Sequence, residues 1–283
     1  MTHPLGVSTW VWASPLDDRT LVELAAKIAG WGFDVIELPV ENPGDWDPAA
    51  AARVLADQGL RATVCLVMPP GRELVDASAS VLRDTQDYLR HVVDVAAEVG
   101  SRVIAGPAYT SVGRTWRITD RAPLYAELRE NLAPVVSHAA AADVAVAVEP
   151  LNRYETSLLN TVGQTLEALG ELLGPSCGVG LDTYHQNIEE RDVAAAIRSA
   201  TGHIAHVQVC ANDRGAPGAD HLDWPGIVVA LADASYDGPL CIESFTPDND
   251  VIATAASIWR PLAESPDRLA RDGLNHLTKL LRS

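Results

Sequence analysis

Eight short apolar runs, each of a length that suits a β-strand, recur along this 283-residue chain with helical patterns between them. Strands that alternate with helices form a parallel sheet, because each helix carries the chain back to the edge where the next strand begins. Eight such units in this length predict an α/β fold, a (β/α)8 TIM barrel. No Gly-x-Gly-x-x-Gly follows the first run, which disfavours a dinucleotide-binding fold. The runs cover residues 5–10, 35–40, 62–67, 102–105, 144–149, 179–182, 204–209 and 240–243.

Helix signals between the runs support this arrangement. Asp47 is a typical N-cap, Pro48 suits the first helical position, and Gly59 is placed to end the helix before the next strand. No linker or low-complexity stretch divides the sequence, so residues 1–283 are predicted to form one barrel domain. The leucine spacing within residues 252–283 predicts a closing helical segment. It could pack on the barrel bottom or on another subunit of a homo-oligomer, a dimer or tetramer, and the sequence leaves both open.

Four successive strands end in a side chain that carries an oxygen ligand. In residues 144–149 alanines alternate with valines, and the narrow alanine face leads to Glu149. The next three strands lead in the same way to Asp182, Gln208 and Glu243. The carboxyl ends of barrel strands meet at one mouth, where TIM-barrel active sites lie. Separately buried polar groups would each cost on the order of several kcal/mol, so this convergence predicts a divalent metal site instead.

Further polar and aromatic residues fall close to these strand ends. Glu37, near the end of the second strand, is a candidate substrate-contacting acid at the rim, with a solvated loop charge as the alternative. Glu155 and His185 follow the fifth and sixth strands and are candidates for the same site. Trp10 and Trp116 lie in loops at the mouth. Such rings could stack on the C–H faces of a sugar or simply plug the barrel top.

Composition excludes several classes of partner and location. The formal net charge of −17 and the lack of a basic run disfavour nucleic acid, whose binding depends on clustered Lys and Arg. The four cysteines lack Cys-x-x-Cys spacing and are predicted to be buried thiols in a reducing compartment. Neither a leader pattern nor a membrane-length apolar stretch is seen. The sequence therefore predicts a cytoplasmic protein without a membrane partner.

The most specific sequence pattern lies at the ends of strands five to eight. The segments EPLNRYETSLLNT, LDTYHQN, HVQVCANDRGAPG and CIESF resemble the sugar phosphate isomerase/epimerase family with the xylose isomerase-like barrel. Within it they are most similar to the D-tagatose 3-epimerase and D-psicose 3-epimerase group. The resemblance implies a divalent metal ion, foremost Mn²⁺, with Mg²⁺ or Co²⁺ as alternatives. It also implies the ligands Glu149, Asp182 and Glu243.

The resemblance implies roles for individual side chains as well. Glu149 and Glu243 would also form the catalytic acid/base pair. The substrate would be contacted by Glu155, His185 and Arg214, which match the family's Glu, His and Arg.

One position departs from the pattern of these epimerases. Gln208, six residues before Arg214, stands where that group has a ligating histidine, and hydroxypyruvate isomerase-like relatives resemble this chain in having Gln. Ile204 and His206 are expected on the same inward face, with His206 roughly 6.6 Å deeper along the strand. Gln208 is therefore predicted to be the fourth metal ligand, and His206 to lie behind it in the barrel.

The chemistry of this residue set favours an isomerase acting on a small sugar. A ketose C–H beside a carbonyl is too weak an acid for a carboxylate alone, so a cation must stabilise the enediolate oxygen. One carboxylate would remove the C3 proton and the other would return a proton to the opposite face, giving a ketose 3-epimerase. Few cationic side chains are expected at the rim, and the sequence shows no Gly-rich loop that could bind a phosphate. Both observations indicate an unphosphorylated substrate. An aldose–ketose or hydroxypyruvate-type isomerase, a keto-inositol dehydratase and a non-catalytic sugar-binding protein remain alternatives.

Overall fold

Eight parallel strands close into a barrel in the computed structural model of this chain, which describes residues 3–282. Each strand pairs with its neighbour in chain order, and the last pairs with the first. All eight predicted strands are present, with ends that differ from the predicted ones by no more than two residues. Met1, Thr2 and Ser283 of the predicted domain lie outside the described residues. The strands are β1 (Leu5–Ser8), β2 (Val35–Val40), β3 (Arg61–Leu66), β4 (Val103–Gly106), β5 (Ala145–Val148), β6 (Cys177–Asp182), β7 (Ile204–Val209) and β8 (Leu240–Ile242).

Helices fill the connections and form the outer layer. The Asp47 carboxylate accepts a hydrogen bond from the Ala50 N–H at 2.8 Å, Pro48 is the first helical residue, and Gly59 ends the helix at a φ of +70°, as the sequence predicts. No helix within residues 3–282 is both long and apolar enough to cross a membrane. The α-helices are α1 (Asp18–Trp31), α2 (Pro48–Gln58), α3 (Ala79–Val99), α4 (Ala122–Ala141), α5 (Val162–Leu169), α6 (Thr183–Glu189), α7 (Val193–Ser199), α8 (Trp224–Asp233), α9 (Asp250–Ala255) and α10 (Pro266–Leu280), with 3₁₀ turns at Thr9–Val11 and Gly170–Leu172.

The main hydrophobic core lies between the outer face of the barrel and the surrounding helices. The valines of β5 belong to this core, as their wide face predicts. Inside the barrel, a separate small cluster is formed by Val103, Ala105, Ala147 and Ala205. Small side chains suit an eight-stranded barrel, whose interior is only wide enough to be filled by side chains. The interior is therefore packed, and polar groups approach it near the mouth.

The inward face of β7 differs from the prediction at one position. Ile204, expected inside, packs with the core between strands and helices, while Ala205 belongs to the interior cluster. The cause is a shift in register, since Val179 pairs with Ile204 but the next residue, Gly180, pairs with His206. One extra residue at such a bulge interrupts the alternation of faces. From His206 onward the strand keeps the predicted face.

The C-terminal segment covers the mouth and then returns along the flank of the barrel. After β8, α9 brings Ile252 and Ala255 to the cavity at the mouth. Further on, the Asp267 carboxylate accepts hydrogen bonds from Trp12 Nε1 at 2.8 Å and from Lys27 Nζ at 3.0 Å. These contacts dock the start of α10 beside α1. Within this chain the closing helix thus packs on the barrel flank, whereas the sequence offered the bottom or another subunit.

A substitution inside the barrel tests how closely the strands approach one another. A Cβ added at Gly178 would lie 2.4 Å from the carbonyl oxygen of His203. Gly178→Ala is expected to lower the free energy of unfolding by about 1–3 kcal/mol, the usual range for overpacking. Gly163→Ala in α5, where an added Cβ meets nothing within 4 Å, is the control and is expected to be neutral or stabilising. Equal stability of the two variants in urea unfolding would contradict this packing.

Candidate active site and metal site

Four polar side chains converge at the carboxyl ends of the last four strands, as the sequence predicts. Asp182, the last residue of β6, pairs with Gln208, the last but one of β7. Glu149 and Glu243 directly follow β5 and β8, and their backbone N–H groups extend the ladder to Gly106 O at 3.0 Å and Val209 O at 3.1 Å. All four side chains are buried, Glu149 with only 4% of its surface exposed. The barrel therefore gathers three carboxylates and one amide in a water-poor site.

Arg214 brings a positive charge into this group. Its Nη1 donates to Asp182 Oδ2 at 2.5 Å and to Glu243 Oε2 at 2.9 Å. The guanidinium lies between the rings of Tyr184 and Phe245, 4.1 Å and 5.1 Å from their centroids. Its backbone adopts a φ of +70°, which is uncommon for a residue with a side chain. Loop geometry and stacking thus hold Arg214 over the carboxylates that the sequence predicts as metal ligands.

His185 is oriented by the loop that follows β5. Its Nδ1 accepts hydrogen bonds from the backbone N–H and from Nδ2 of Asn152, both at 3.0 Å. The Asn152 amide also donates to Glu155 Oε1 at 2.7 Å, which links the predicted substrate-contacting residues Glu155 and His185. Because Nδ1 accepts, the proton of the neutral imidazole is on Nε2. This Nε2 lies 3.5 Å from Glu149 Oε1 and faces the site.

The close approach of Arg214 to His185 brings two donors together. Arg214 Nη2 lies 3.0 Å from His185 Nε2, the nitrogen that carries the proton. A guanidinium offers no acceptor, so this contact adds no hydrogen bond to the site. A change of the Arg214 rotamer would relieve it.

Burial and neighbouring charges shift the protonation equilibria of the acids in opposite directions. Burial, together with Glu243 and Asp182, raises the pKa of Glu149 well above its ordinary value. Burial also raises the pKa of Glu243, where Arg214 opposes the effect and Asp182 and Glu37 add to it. Burial alone would raise the pKa of Asp182 too, but the Arg214 guanidinium and the Tyr184 N–H outweigh it and lower that pKa. Asp182 is therefore the most readily ionised of the three.

The same factors keep His185 neutral. Burial and the adjacent Arg214 lower the pKa of His185 below its ordinary value. A neutral imidazole with its proton on Nε2 can donate one hydrogen bond into the site without adding charge.

Beneath these groups, Glu37 connects β2 with β7 across the barrel. Its Oε2 accepts hydrogen bonds from His206 Nε2 at 2.6 Å and from Thr63 Oγ1 at 3.3 Å. Its Oε1 accepts from Gln208 Nε2 at 2.9 Å, and the same nitrogen donates to Glu243 Oε1 at 2.7 Å. Glu37 is fully buried. The structure thus gives Glu37, predicted as a substrate contact, a set of protein partners below the site, and it brings His206 behind Gln208 as predicted.

The cavity at the mouth has a polar floor and an apolar wall. The floor includes Glu149, Glu155, His185, Arg214 and Glu243. Trp10 is part of the wall, in keeping with a ring that faces a ligand. Trp116, by contrast, packs its ring on the Arg114 guanidinium at 4.5 Å, so its substrate contact stays a prediction. The remainder of the wall is formed by Leu66, Val67, Pro107, Val112, Leu151, Phe245, Ile252, Ala255 and Ala256.

Asn152, Tyr184 and most of the apolar wall were not predicted as site residues from the sequence. Asn152 lies inside the EPLNRYE segment, and its position between Glu149 and Glu155 was the available signal. Tyr184 lies between Asp182 and His185 in the same way. The apolar wall had no comparable signal, because its members come from the ends and loops of different strands and from α9.

The residues at the mouth fit a divalent cation. Candidate ligand atoms of Glu149, Asp182 and His185 lie within 4.8 Å of one another. Because His185 carries its proton on Nε2, the carboxylates of Glu149 and Asp182 are the members of this group that can bind a cation. Glu149 Oε1 is buried and accepts no hydrogen bond from the described residues. A buried carboxylate oxygen in that state is costly unless a cation or donor meets it. Among the described residues, Glu149, Glu155, Asp182 and Glu243 lie around one guanidinium, that of Arg214, and Glu37 lies below them. Hard oxygen donors with excess negative charge suit Mg²⁺ or Mn²⁺.

Comparison with known proteins agrees with this geometry. Residues 25–280 match the family model described as a xylose isomerase-like TIM barrel. The chain is 34% identical to a probable ketose 3-epimerase from Synechocystis sp., covering 96% of this chain and 94% of that protein. It is 32% identical to a ketose 3-epimerase from Arthrobacter globiformis, covering 91% and 90%. A solved structure of L-ribulose 3-epimerase superposes with a TM-score of 0.92 at 28% identity, covering 99% of this chain and 95% of that one.

The unpartnered oxygen of Glu149 leads to a prediction about stability without metal. A raised pKa in the folded state means that folding disfavours the ionised form, so this group stabilises the fold only at low pH and destabilises it as the pH rises to neutrality. In EDTA-treated protein at pH 7, Glu149→Gln is expected to raise the Tm by about 2–4 °C, which corresponds to roughly 1 kcal/mol. A lower Tm would contradict the destabilising effect proposed for the buried, unpartnered oxygen of Glu149.

Glu243→Gln is the matched comparison. Both oxygens of Glu243 already accept hydrogen bonds, from Gln208 and from Arg214. An amide there would bring an N–H group against one of these donors. This variant is therefore expected to lower the Tm under the same conditions, as measured by circular dichroism.

Proposed function

Since the chain belongs to the xylose isomerase-like TIM-barrel family, we propose that it is a metal-dependent ketose 3-epimerase, an isomerase that acts on free ketoses. The observation that carries the proposal is the pair Glu149 and Glu243, whose strands β5 and β8 are separated by β6 and β7 around the mouth. Two carboxylates on different sides of one cation site are what inversion at a carbon next to a carbonyl requires. The ketose 3-epimerase relatives support the same reaction.

The cation would be held by Glu149, Asp182, Glu243 and the amide oxygen of Gln208. When bound, a divalent ion polarises the carbonyl and stabilises the negative charge of an enediolate. Mn²⁺ is proposed as the native ion, with Mg²⁺ as the alternative, because a first shell made only of oxygen atoms suits both of these hard ions. Asp182, the acid whose pKa is lowered, supports this arrangement as a permanent negative ligand.

Proton transfer is assigned to the two glutamates. Glu149 Oε1 accepts no hydrogen bond from the described chain and is free to exchange a proton with C3 on one face of the sugar. Glu243, held by Gln208 and Arg214, would exchange a proton with C3 on the other face. Positioned acid/base groups of this kind typically contribute about 10²- to 10⁴-fold to the rate.

The neighbouring residues would bind and orient the sugar. His185 directs its Nε2 proton into the site and can donate to a sugar oxygen, while Glu155 shares the Asn152 amide with it. Arg214 supplies further donors near the same position. Trp10 and Phe245 belong to the apolar wall and would exclude water from the reacting carbon.

The aldose–ketose, hydroxypyruvate-type and dehydratase alternatives are not favoured, because the relatives described above are ketose 3-epimerases. A homo-oligomer, dimer or tetramer, stays a proposal, as does the treatment of the chain as one domain. A cytoplasmic location is supported by four buried cysteines that are free thiols.

Deuterium incorporation tests the reaction. Mn²⁺-loaded protein is incubated in D₂O with a panel of free ketoses, and the position of the label is read by NMR. Deuterium is expected at C3, together with the C3 epimer, because the two glutamates exchange the proton of that carbon. Label confined to C1 or C2 would contradict the epimerase and favour an aldose–ketose isomerase.

The same assay applied to Glu149→Gln and Glu243→Gln tests the assignment of the acid/base pair. Each change is expected to lower turnover by at least about 100-fold, the lower end of general-base contributions. Metal content is measured alongside, so that loss of the ion is separated from loss of the base. A variant that retains its metal and a wild-type rate would remove that residue from the pair.

A further inference from the structure

Glu37 is a fully buried carboxylate whose partners all come from other strands. His206 and Gln208 approach it from β7, and Thr63 approaches it from β3. Strands β2 and β7 are separated by β1 and β8, so the bonds to β7 cross the barrel interior. A carboxylate in this position would be costly without donors. Here three donors satisfy it, and it can act as a fixed acceptor.

The Gln208 amide has two acceptors on one side. Its Nε2 donates one hydrogen to Glu37 Oε1 at 2.9 Å and the other to Glu243 Oε1 at 2.7 Å. An ionised carboxylate only accepts hydrogen bonds. A flipped amide would place its oxygen against two carboxylate oxygens and lose both bonds. Glu37 and Glu243 together therefore allow only one orientation of this side chain.

That orientation decides which atom of Gln208 is available to a cation. An amide coordinates metal ions through its oxygen. With Nε2 engaged by both acids, Oε1 is the atom left free of them. Without Glu37, Glu243 would be the one remaining acceptor of these two for Gln208 Nε2. The amide could then rotate while keeping its hydrogen bond to Glu243.

We propose that Glu37 is a positioning residue, which holds the Gln208 amide with its oxygen available to the divalent cation and steadies Glu243 through the same amide. This inference rests on the metal site of the proposed function and adds a role for a residue below it. Glu37 touches neither the substrate nor the reacting carbon in this account. Partners behind a metal ligand commonly change metal affinity about 10- to 100-fold when removed.

Calorimetric titration of Mn²⁺ into metal-free protein tests the proposal without an activity assay. The variants are Glu37→Asp, Gln208→Leu and the double variant. Glu37→Asp keeps the charge but shortens the side chain by one methylene, so it withdraws the acceptor from Gln208. It is expected to lower Mn²⁺ affinity by about tenfold or more. In the Gln208→Leu background the same change is expected to have less than about a twofold effect.

Glu73→Asp is the matched control. Glu73, in the loop after β3, is also a buried glutamate, but its carboxylate accepts hydrogen bonds from Thr110, Ser111 and Arg114 in the loop after β4. This change is expected to leave Mn²⁺ affinity within about twofold of wild type. If Glu37→Asp does not fold, Glu37→Gln replaces it. The amide of Glu37→Gln can turn either its oxygen or its nitrogen towards Gln208, so Gln208 is no longer held in one orientation. This variant is therefore also expected to lower Mn²⁺ affinity, and again only when Gln208 is present.

The outcomes separate this inference from the metal site itself. Wild-type affinity in the Glu37 variant would overturn the positioning role, and so would an equal loss with and without Gln208. Both results would leave the metal site standing. A wild-type protein that binds no Mn²⁺ would overturn the metal site first, and the positioning role with it.

Discussion

The organisation of this protein depends on the burial of several carboxylates at one end of a barrel. Glu149, Asp182 and Glu243 are all buried there, and one guanidinium, that of Arg214, contacts two of them. Buried charge must be neutralised or paired. The chain meets part of this requirement with Arg214 and with hydrogen bonds, and leaves Glu149 Oε1 unsatisfied among the described residues. The site is thus suited to a further positive charge, and we expect the unpartnered oxygen to lower the stability of the metal-free fold.

The position of Arg214 couples the cation site to the loop after β7. Its Nη1 contacts the carboxylates of Asp182 and Glu243, which are also the proposed ligands. A metal ion and a guanidinium cannot both occupy the space between these oxygens. Its Nη2 also lies close to His185 Nε2, which is itself a donor. We therefore expect Arg214 to give up at least one carboxylate when the ion binds, and then to face the sugar.

The sequence predicted the parts of this site that follow from local periodicity. The alternation of small and branched residues identified the inward face of β5, and parallel topology then brought Glu149 and its three counterparts together. Local rules failed where pairing between distant strands decides the outcome. The bulge between β6 and β7 turns Ile204 outward. Glu37 accepts hydrogen bonds from β7, whose residues lie about 170 positions away in the chain. The placement of Arg214 depended on the φ of its own residue and on two aromatic rings, which no spacing in the sequence reveals.

The most direct test of the central claim is a crystal structure of the protein soaked with Mn²⁺, with the ion located by anomalous scattering. The account predicts one strong peak bound by Glu149, Asp182, Glu243 and the amide oxygen of Gln208. Arg214 should no longer bridge Asp182 and Glu243. A peak elsewhere in the barrel would contradict the account. So would the absence of a peak at the mouth with the Arg214 bridge intact.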